Sequence, residues 1–223
     1  MKLNQYIDHT LLKADASLEQ ITNLCQQARE NHFFSVCVNS YYVKAAIELL
    51  KGSGVKVCTV VGFPLGASTM ETKRFEAIKA IAEGAKEIDM VLNISAVKSQ
   101  NWQYVLDDMS SLAQVCHQQN ALLKVILENC LLTNDEKKKT CELAVKAGVD
   151  FVKTSTGFST GGATIEDIKL MRSIVGIHMG IKASGGIRNT ETAKLMIEAG
   201  ATRLGTSASV EIVNGTASSS SGY

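Results

Sequence analysis

The strongest constraint on how this chain can fold is a unit that repeats. Short apolar segments rich in β-branched residues alternate with segments whose apolar residues recur at helical spacing. The expected strands cover residues 6–10, 34–38, 55–61, 87–92, 122–127, 151–153, 179–183 and 203–205. The first expected helix is capped by Ser17 and ends near Asn31. Others follow at 42–50, at 69–83 with Ser68 or Thr69 as cap, at 102–119, at 134–147 closed by Gly148, at 164–175 and at 189–199. Ser207 opens a last, short one. The junctions 83–88, 147–152 and 199–204 look like one repeated helix-to-strand turn. Strict alternation implies a parallel sheet with helices outside it. Eight units in 223 residues fit a closed barrel better than an open, doubly wound sheet. The expectation is therefore an α/β chain with one domain, a (β/α)8 TIM barrel over residues 1–213. Residues 214–223 are Ser-rich, lack periodicity and are expected to form a flexible tail.

Charge and cysteine usage narrow the function classes. Basic side chains number 23 and acidic ones 22, which argues against a nucleic acid or membrane surface held by bulk electrostatics. No apolar run is long enough to span a bilayer, and residues 1–5 are not followed by the apolar stretch of a signal peptide. The six cysteines, at 25, 37, 58, 116, 130 and 141, show no Cys-x-x-Cys pair and no zinc spacing with the four scattered histidines. Free thiols in a reducing cytoplasm, with no metal, are the expectation.

Chemistry concentrates at the strand ends, where a barrel of this kind builds its site. Two strands finish on a lysine followed by a Ser/Gly loop: Phe151-Val152-Lys153-Thr154-Ser155-Thr156-Gly157 and Gly180-Ile181-Lys182-Ala183-Ser184-Gly185-Gly186. Side chains alternate along a strand, so Phe151 and Lys153 share one face, Gly180 and Lys182 another, and Glu87, Asp89 and Val91 a third. Lys153, Lys182 and Asp89 are thereby expected to converge in the barrel mouth. An ordinary lysine, with a pKa of about 10.4, is almost wholly protonated at pH 7, and bringing it to neutrality takes roughly 4.6 kcal/mol. Burial and a neighbouring cation act in that direction. A neutral Lys153 would attack a carbonyl to form an iminium, Lys182 would be the neighbouring cation, and Asp89 would relay protons through water. The competing reading is structural, since a buried lysine is commonly one member of an ion pair. Lys124 and Glu128, on one face of the fifth strand, are such a candidate pair, with Glu87 as a third member.

A second constellation follows the last two strands. Ser184-Gly185-Gly186-Ile187-Arg188 and Gly205-Thr206-Ser207 occupy the loops where barrels commonly seat a phosphate. Thr156, Gly157, Gly161 and Gly162 would close the same pocket. Asp8 and Thr10 end the first strand and are read either as ligands of a substrate hydroxyl or as turn-forming residues. Cys37 faces either the mouth or the helices.

These segments, with Tyr6-Ile7-Asp8-His9-Thr10-Leu11-Leu12-Lys13, Val60-Val61-Gly62-Phe63-Pro64-Leu65-Gly66, Glu87-Ile88-Asp89-Met90-Val91 and Lys124-Val125-Ile126-Leu127-Glu128, resemble the deoxyribose-phosphate aldolase family over essentially the whole chain. The resemblance implies a cofactor-free class I aldolase that cleaves 2-deoxy-D-ribose 5-phosphate reversibly to D-glyceraldehyde 3-phosphate and acetaldehyde. It implies Lys153 as the Schiff-base lysine, Lys182 as the group that perturbs it and Asp89 as part of the proton relay. Gly157, Gly185, Gly186 and Ser207 match phosphate-site positions. Where some members carry a lysine after the loop glycine, this chain has Phe158. Some members end in a tyrosine that reaches the site, and Tyr223 is terminal here. The implied partners are a phosphosugar and aldehydes, with a homodimer as the assembly to test. Two other readings stand beside this one: a phosphosugar isomerase or epimerase with Asp89 as base, and a phosphosugar-binding barrel without catalysis.

Overall fold

A computed structural model describes residues 2–216. Eight parallel strands close into a barrel in sequence order: β1 Ile7–Leu11, β2 Ser35–Val38, β3 Lys56–Val61, β4 Glu87–Val91, β5 Leu122–Ile126, β6 Phe151–Lys153, β7 Gly180–Ser184 and β8 Arg203–Thr206, with β8 paired to β1. The helices are α1 Leu18–Glu30, α2 Val43–Leu49, α3 Met70–Ala82, α4 Ile94–Lys98, α5 Trp102–Gln118, α6 Asn134–Ala147, α7 Ile165–Val175, α8 Thr190–Glu198 and α9 Ser209–Asn214. The expected (β/α)8 architecture is the one observed.

Local sequence accounts for most boundaries. Ser17 and Gln20 form a reciprocal capping box at the start of α1, and Thr133 and Glu136 form another on α6. Thr69 caps α3, and left-handed Gly148 ends α6. Three details differ from expectation. The helix expected over 42–50 is α2 with its caps Tyr42 and Leu50, but an unforeseen 3-10 turn, Ser40–Tyr42, precedes it. The one-turn helix α4, capped by Asn93, has too few apolar positions to register as a period. Ser207 lies outside α9, whose N-cap is Ala208.

The apolar core is a shell between strands and helices. Ile7, Val36, Ile88, Leu123, Val152, Ile181 and Leu204 point outward from the strands and meet Ile21, Leu24, Ala77, Met109, Leu112, Cys141, Ile168 and Met171. A smaller cluster, Leu12, Cys37, Cys58 and Val60 with Phe63 against it, is separate from that shell. The rest of the interior is charged. Asp8, Glu87, Asp89, Lys124, Lys153, Lys182 and Arg203 are all buried.

Candidate active site

Register brings the charged side chains together. Lys153 pairs with Lys182 across β6 and β7, and Asp89 pairs with Lys124 across β4 and β5. Residues paired between neighbouring strands point to the same side. Asp89 is the hub. Its Oδ2 accepts from Lys153 Nζ at 2.9 Å and from Lys182 Nζ at 2.8 Å. Its Oδ1 accepts from Lys124 Nζ at 2.8 Å and from the Cys58 thiol at 3.2 Å. The sequence expectation that Lys153, Lys182 and Asp89 converge corresponds to this geometry.

Beneath the hub lies a second tier. Asp8 Oδ2 is 2.6 Å from Lys182 Nζ and 3.7 Å from Lys124 Nζ, while its Oδ1 accepts from Arg203 at 2.8 Å and from the Ser35 hydroxyl at 2.7 Å. Glu87 receives Lys124 at 2.5 Å and Arg203 at 2.9 Å. The Arg203 guanidinium stacks over the Phe34 ring at 3.6 Å. Gly205 makes room for this arrangement: a Cβ there would stand 2.2 Å from Ser184 Oγ and 2.8 Å from Lys182 Cε. Its smallness lets the Lys182 stem pass.

The electrostatics follow from the counts. Burial by itself would raise the Asp89 carboxyl, but the neighbouring lysines, Lys124 first, outweigh it and hold Asp89 well below the usual carboxylate range. Asp8 behaves alike, with Lys182, Arg203 and Lys124 overcoming burial. Burial would lower Lys182, yet Asp8 and Asp89 keep its ammonium protonated well above the ordinary lysine value. Lys124 is held in the same way by Asp89, Cys58, Glu87 and Asp8. Two sets of buried side chains, Cys37 with Cys58 and Asp89, and Asp8 with Cys58 and Glu87, have ligand atoms close enough for a metal ion. The Lys124 ammonium already occupies that space, 3.2 Å from Cys58 Sγ and 2.8 Å from Asp89.

Other candidates fall differently. Glu128 does not pair with Lys124. It lies past the end of β5 in a left-handed conformation, φ 54°, and its carboxylate accepts the Thr156 backbone N–H at 3.2 Å and the Thr156 hydroxyl. Both polar groups of Thr156 that could face a ligand are thus engaged by Glu128, and its Oγ1 also accepts the Phe158 N–H at 3.0 Å. Asp8 belongs to the buried lower tier, and the Thr10 hydroxyl donates to the Asp8 carbonyl at 2.8 Å. Cys37 sits in the small cluster beside Cys58.

The loops after β6 and β7 are seated on each other. Ala163 N–H donates to the Gly185 carbonyl at 3.0 Å, and a Cβ on Gly162 would come within 2.5 Å of that oxygen. Gly157, Gly185 and Gly186 have φ of 88°, 86° and 80°, a region costly for other residues. Gly186 is exposed with open space where a side chain would go. Ser207, half-buried, stands between β8 and α9. The Phe158 ring meets the Phe63 ring edge-on at 5.2 Å, which joins the β6 loop to the β3 loop. Tyr223 lies outside the described residues.

Sequence reading missed the Ser155 hydroxyl and the Arg203 cation, and placed Ser184 only as part of the phosphate loop. Ser155 and Ser184 stand two residues beyond Lys153 and Lys182, and each buried Oγ lacks a hydrogen-bond partner among the described residues. The two-residue spacing was the available signal. Arg203 looks like an ordinary strand-start residue until the barrel closes.

Comparison with known proteins agrees with this geometry. Residues 2–218 match the family model described as DeoC/LacD family aldolase. The chain is 60% identical to a deoxyribose-phosphate aldolase of Brevibacillus brevis over 223 residues, covering all of both chains. It is 55% identical to the protein of the same name from Clostridium novyi, again covering all of both. Among solved structures, QR15, an aldolase, superposes with a TM-score of 0.91 at 42% identity, over 95% of this chain and 94% of that one. A tetrameric deoxyribose phosphate aldolase from Aeropyrum pernix does so at 0.89 and 34% identity, over 95% and 89%. A lysine-bearing barrel that matches a family model over residues 2–218, and two named relatives over their full length, leaves one assignment: the chain belongs to the DeoC/LacD family of aldolases.

Proposed function

We propose that this chain is a class I aldolase that cleaves 2-deoxy-D-ribose 5-phosphate reversibly to D-glyceraldehyde 3-phosphate and acetaldehyde, with Lys153 as the Schiff-base residue. The observation that carries the reading is a charge count. Three carboxylates, Asp8, Glu87 and Asp89, face three cations, Lys124, Lys182 and Arg203, in one buried cluster. Lys153 is the fourth basic group on this cluster, at 2.9 Å from Asp89. As a cation it leaves the cluster with one uncompensated positive charge in a low-dielectric interior. As a neutral amine it leaves the cluster balanced and carries a nucleophilic lone pair.

The chemistry proceeds from that balance. Lys153 adds to the aldehyde carbon of the open-chain sugar, and loss of water gives an iminium. The iminium restores the excess positive charge beside Asp89. Removal of the C3 hydroxyl proton, by Asp89 through a water, breaks the C2–C3 bond and sends its electrons into the iminium. The product enamine is neutral, and the surplus positive charge stays on the cluster as the proton that Asp89 has taken up. Protonation at C2 and hydrolysis release acetaldehyde. Ser155 and Ser184 offer hydroxyls beside the two lysines for the sugar oxygens. The Gly157, Gly185–Gly186 and Ser207 backbone is the proposed seat of the phosphate. Tyr223 is assigned, on sequence alone, to proton transfer at C2. The six free cysteines fit a reducing cytoplasm, and no helix among the described residues is long and apolar enough to cross a membrane.

Borohydride reduction in the presence of acetaldehyde, followed by peptide mass mapping, tests the nucleophile. Ethylation at Lys153 alone is expected. Ethylation at Lys182 instead, or none in an active protein, overturns the assignment. Unphosphorylated 2-deoxyribose should show a much lower kcat/KM than the phosphorylated sugar, and Gly186→Val should chiefly raise KM for the latter.

A further inference from the structure

The small cluster inside the barrel contains a pair of thiols to which the proposed mechanism gives no task. Cys37 and Cys58 are register partners on β2 and β3. Both side chains are fully buried. Adjacent strands lie about 4.8 Å apart, inside the about 4.4–6.8 Å window of Cα separations that a disulfide bridges. The two sulfurs and a carboxylate oxygen of Asp89 all lie within 4.8 Å of one another. Cys58 Sγ is also 3.2 Å from both Asp89 Oδ1 and Lys124 Nζ. One end of the thiol pair therefore touches the carboxylate that holds Lys153.

We propose that Cys37 and Cys58 form a modification site for hydroperoxide-class oxidants, which join them in a disulfide and reversibly disable the aldolase through Asp89. The consequence for activity rests on the function proposed above; the disulfide itself does not. Cys37 is the attacking sulfur. The Cys58 thiol beside it holds the Cys37 thiol below its usual range against the opposing effect of burial, with the Lys182 ammonium adding to it. Burial, with Cys37 and Asp89 beside it, pushes Cys58 well above that range, so Cys58 keeps its proton.

The steps balance. The Cys37 thiolate attacks one peroxide oxygen, the O–O bond breaks, and a sulfenic acid and hydroxide form, the hydroxide becoming water with the proton that Cys37 gave up. The Cys58 sulfur then attacks the Cys37 sulfur, the S–O bond breaks, and the departing hydroxide takes up the Cys58 proton. The sum is two thiols and one hydrogen peroxide giving one disulfide and two waters. Both sulfurs are buried, so the oxidant has to be as small as hydrogen peroxide.

Drawing the sulfurs to about 2.05 Å pulls Cys58 away from Asp89 and Lys124 and removes its S–H donor. Asp89 then loses one of the contacts that set the carboxylate against Lys153. A change in kcat is expected, with KM little altered.

The experiment treats the reduced full chain with hydrogen peroxide, blocks remaining thiols and maps the peptides by mass. A Cys37–Cys58 cross-linked peptide two hydrogens lighter than the sum of its parts is expected. Activity should fall at least ~10-fold relative to the reduced protein and return with a thiol reductant. The ratio of oxidised to reduced activity should stay near one in Cys58→Ala and, independently, in Cys37→Ala. In Cys130→Ser, which removes the exposed thiol, the fall should match the parent. Absence of the cross-link at a peroxide dose that oxidises Cys130 overturns the proposal. So does a cross-link with undiminished activity, or an equal fall in both alanine variants. An inactive reduced protein that still forms the cross-link would instead count against the aldolase reading.

Discussion

Two buried lysine–aspartate contacts in this molecule look alike until their surroundings are counted. Between α3 and α5, Lys73 Nζ meets Asp108 Oδ2 at 2.6 Å with neither side chain exposed. Inside the barrel, Lys153 meets Asp89 at 2.9 Å, equally dry. The carboxyls respond in opposite directions. Burial pushes Asp108 up, and Lys73 does not offset it. Burial also acts on Asp89, but the lysines around it reverse the effect. Asp108 leaves Oδ1 without a hydrogen-bond partner among the described residues, whereas both oxygens of Asp89 are taken. The outer pair is closed, one charge to one charge, and its lysine stem packs against the Gly62 turn, where a Cβ would come within 2.9 Å of Lys73 Cε. The inner pair is open. It has one amine more than its carboxylates can balance, at a strand end that faces the mouth. A buried lysine beside an aspartate is therefore not a site by itself; surplus and position make it one.

The largest test separates the two lysines by activity. Lys153→Met should lower kcat by roughly 10⁴-fold or more, since no other amine can carry the covalent step. Lys73→Met, assayed on protein confirmed as folded, should stay within a few-fold of the parent. Comparable losses in the two variants would break the comparison.

Next comes the inner balance. Lys182→Leu leaves three carboxylates facing two fixed cations, so Lys153 becomes the balancing charge. Turnover should fall by at least ~10²-fold, and the pH–rate profile of the remainder should move alkaline. An unmoved profile would show that the count does not govern Lys153.

The outer pair should show itself in stability instead. Lys73→Met strands the Asp108 charge and should cost about 3–5 kcal/mol, read by denaturant unfolding. Lys73→Met with Asp108→Leu should recover most of that loss, because two charges then leave the interior together. No recovery would mean that the Lys73 stem, packed at Gly62, matters more than the ion pair.

The smallest effect is a difference in sign with pH. Asp89 and Asp8 have lowered native pKa values, so their contribution is present above the ordinary carboxylate range and is lost as pH falls below about 4. Asp108 has a raised one, so the native state binds its proton more tightly and stability declines as pH rises from the ordinary range through the raised value. Asp108→Asn should remove that shallow decline and leave the acid limb in place. Unfolding free energies measured across pH 3 to 7 read both limbs, and an unchanged decline in Asp108→Asn would contradict the assignment.

Much of this protein was legible in the order of its residues. The alternation of strands and helices is written in local periods, the caps at Ser17, Thr69 and Gly148 in single residue types, and the inward aim of Lys153, Lys182 and Asp89 in the two-residue repeat of a strand. These are short-range matters that neighbouring residues decide. The tertiary structure alone decided which inward groups share a depth. Arg203 reaches Asp8 across 195 residues of chain and Glu87 across 116. Asp8 is thereby drawn into the lower tier. Glu128 turned to Thr156 and left Lys124 to Glu87 and Asp89. A strand's own sequence states which face a side chain takes, but its height against the strands across the barrel depends on the stagger at which eight strands close. That stagger is a property of the whole sheet, and so is the charge surplus that singles out Lys153.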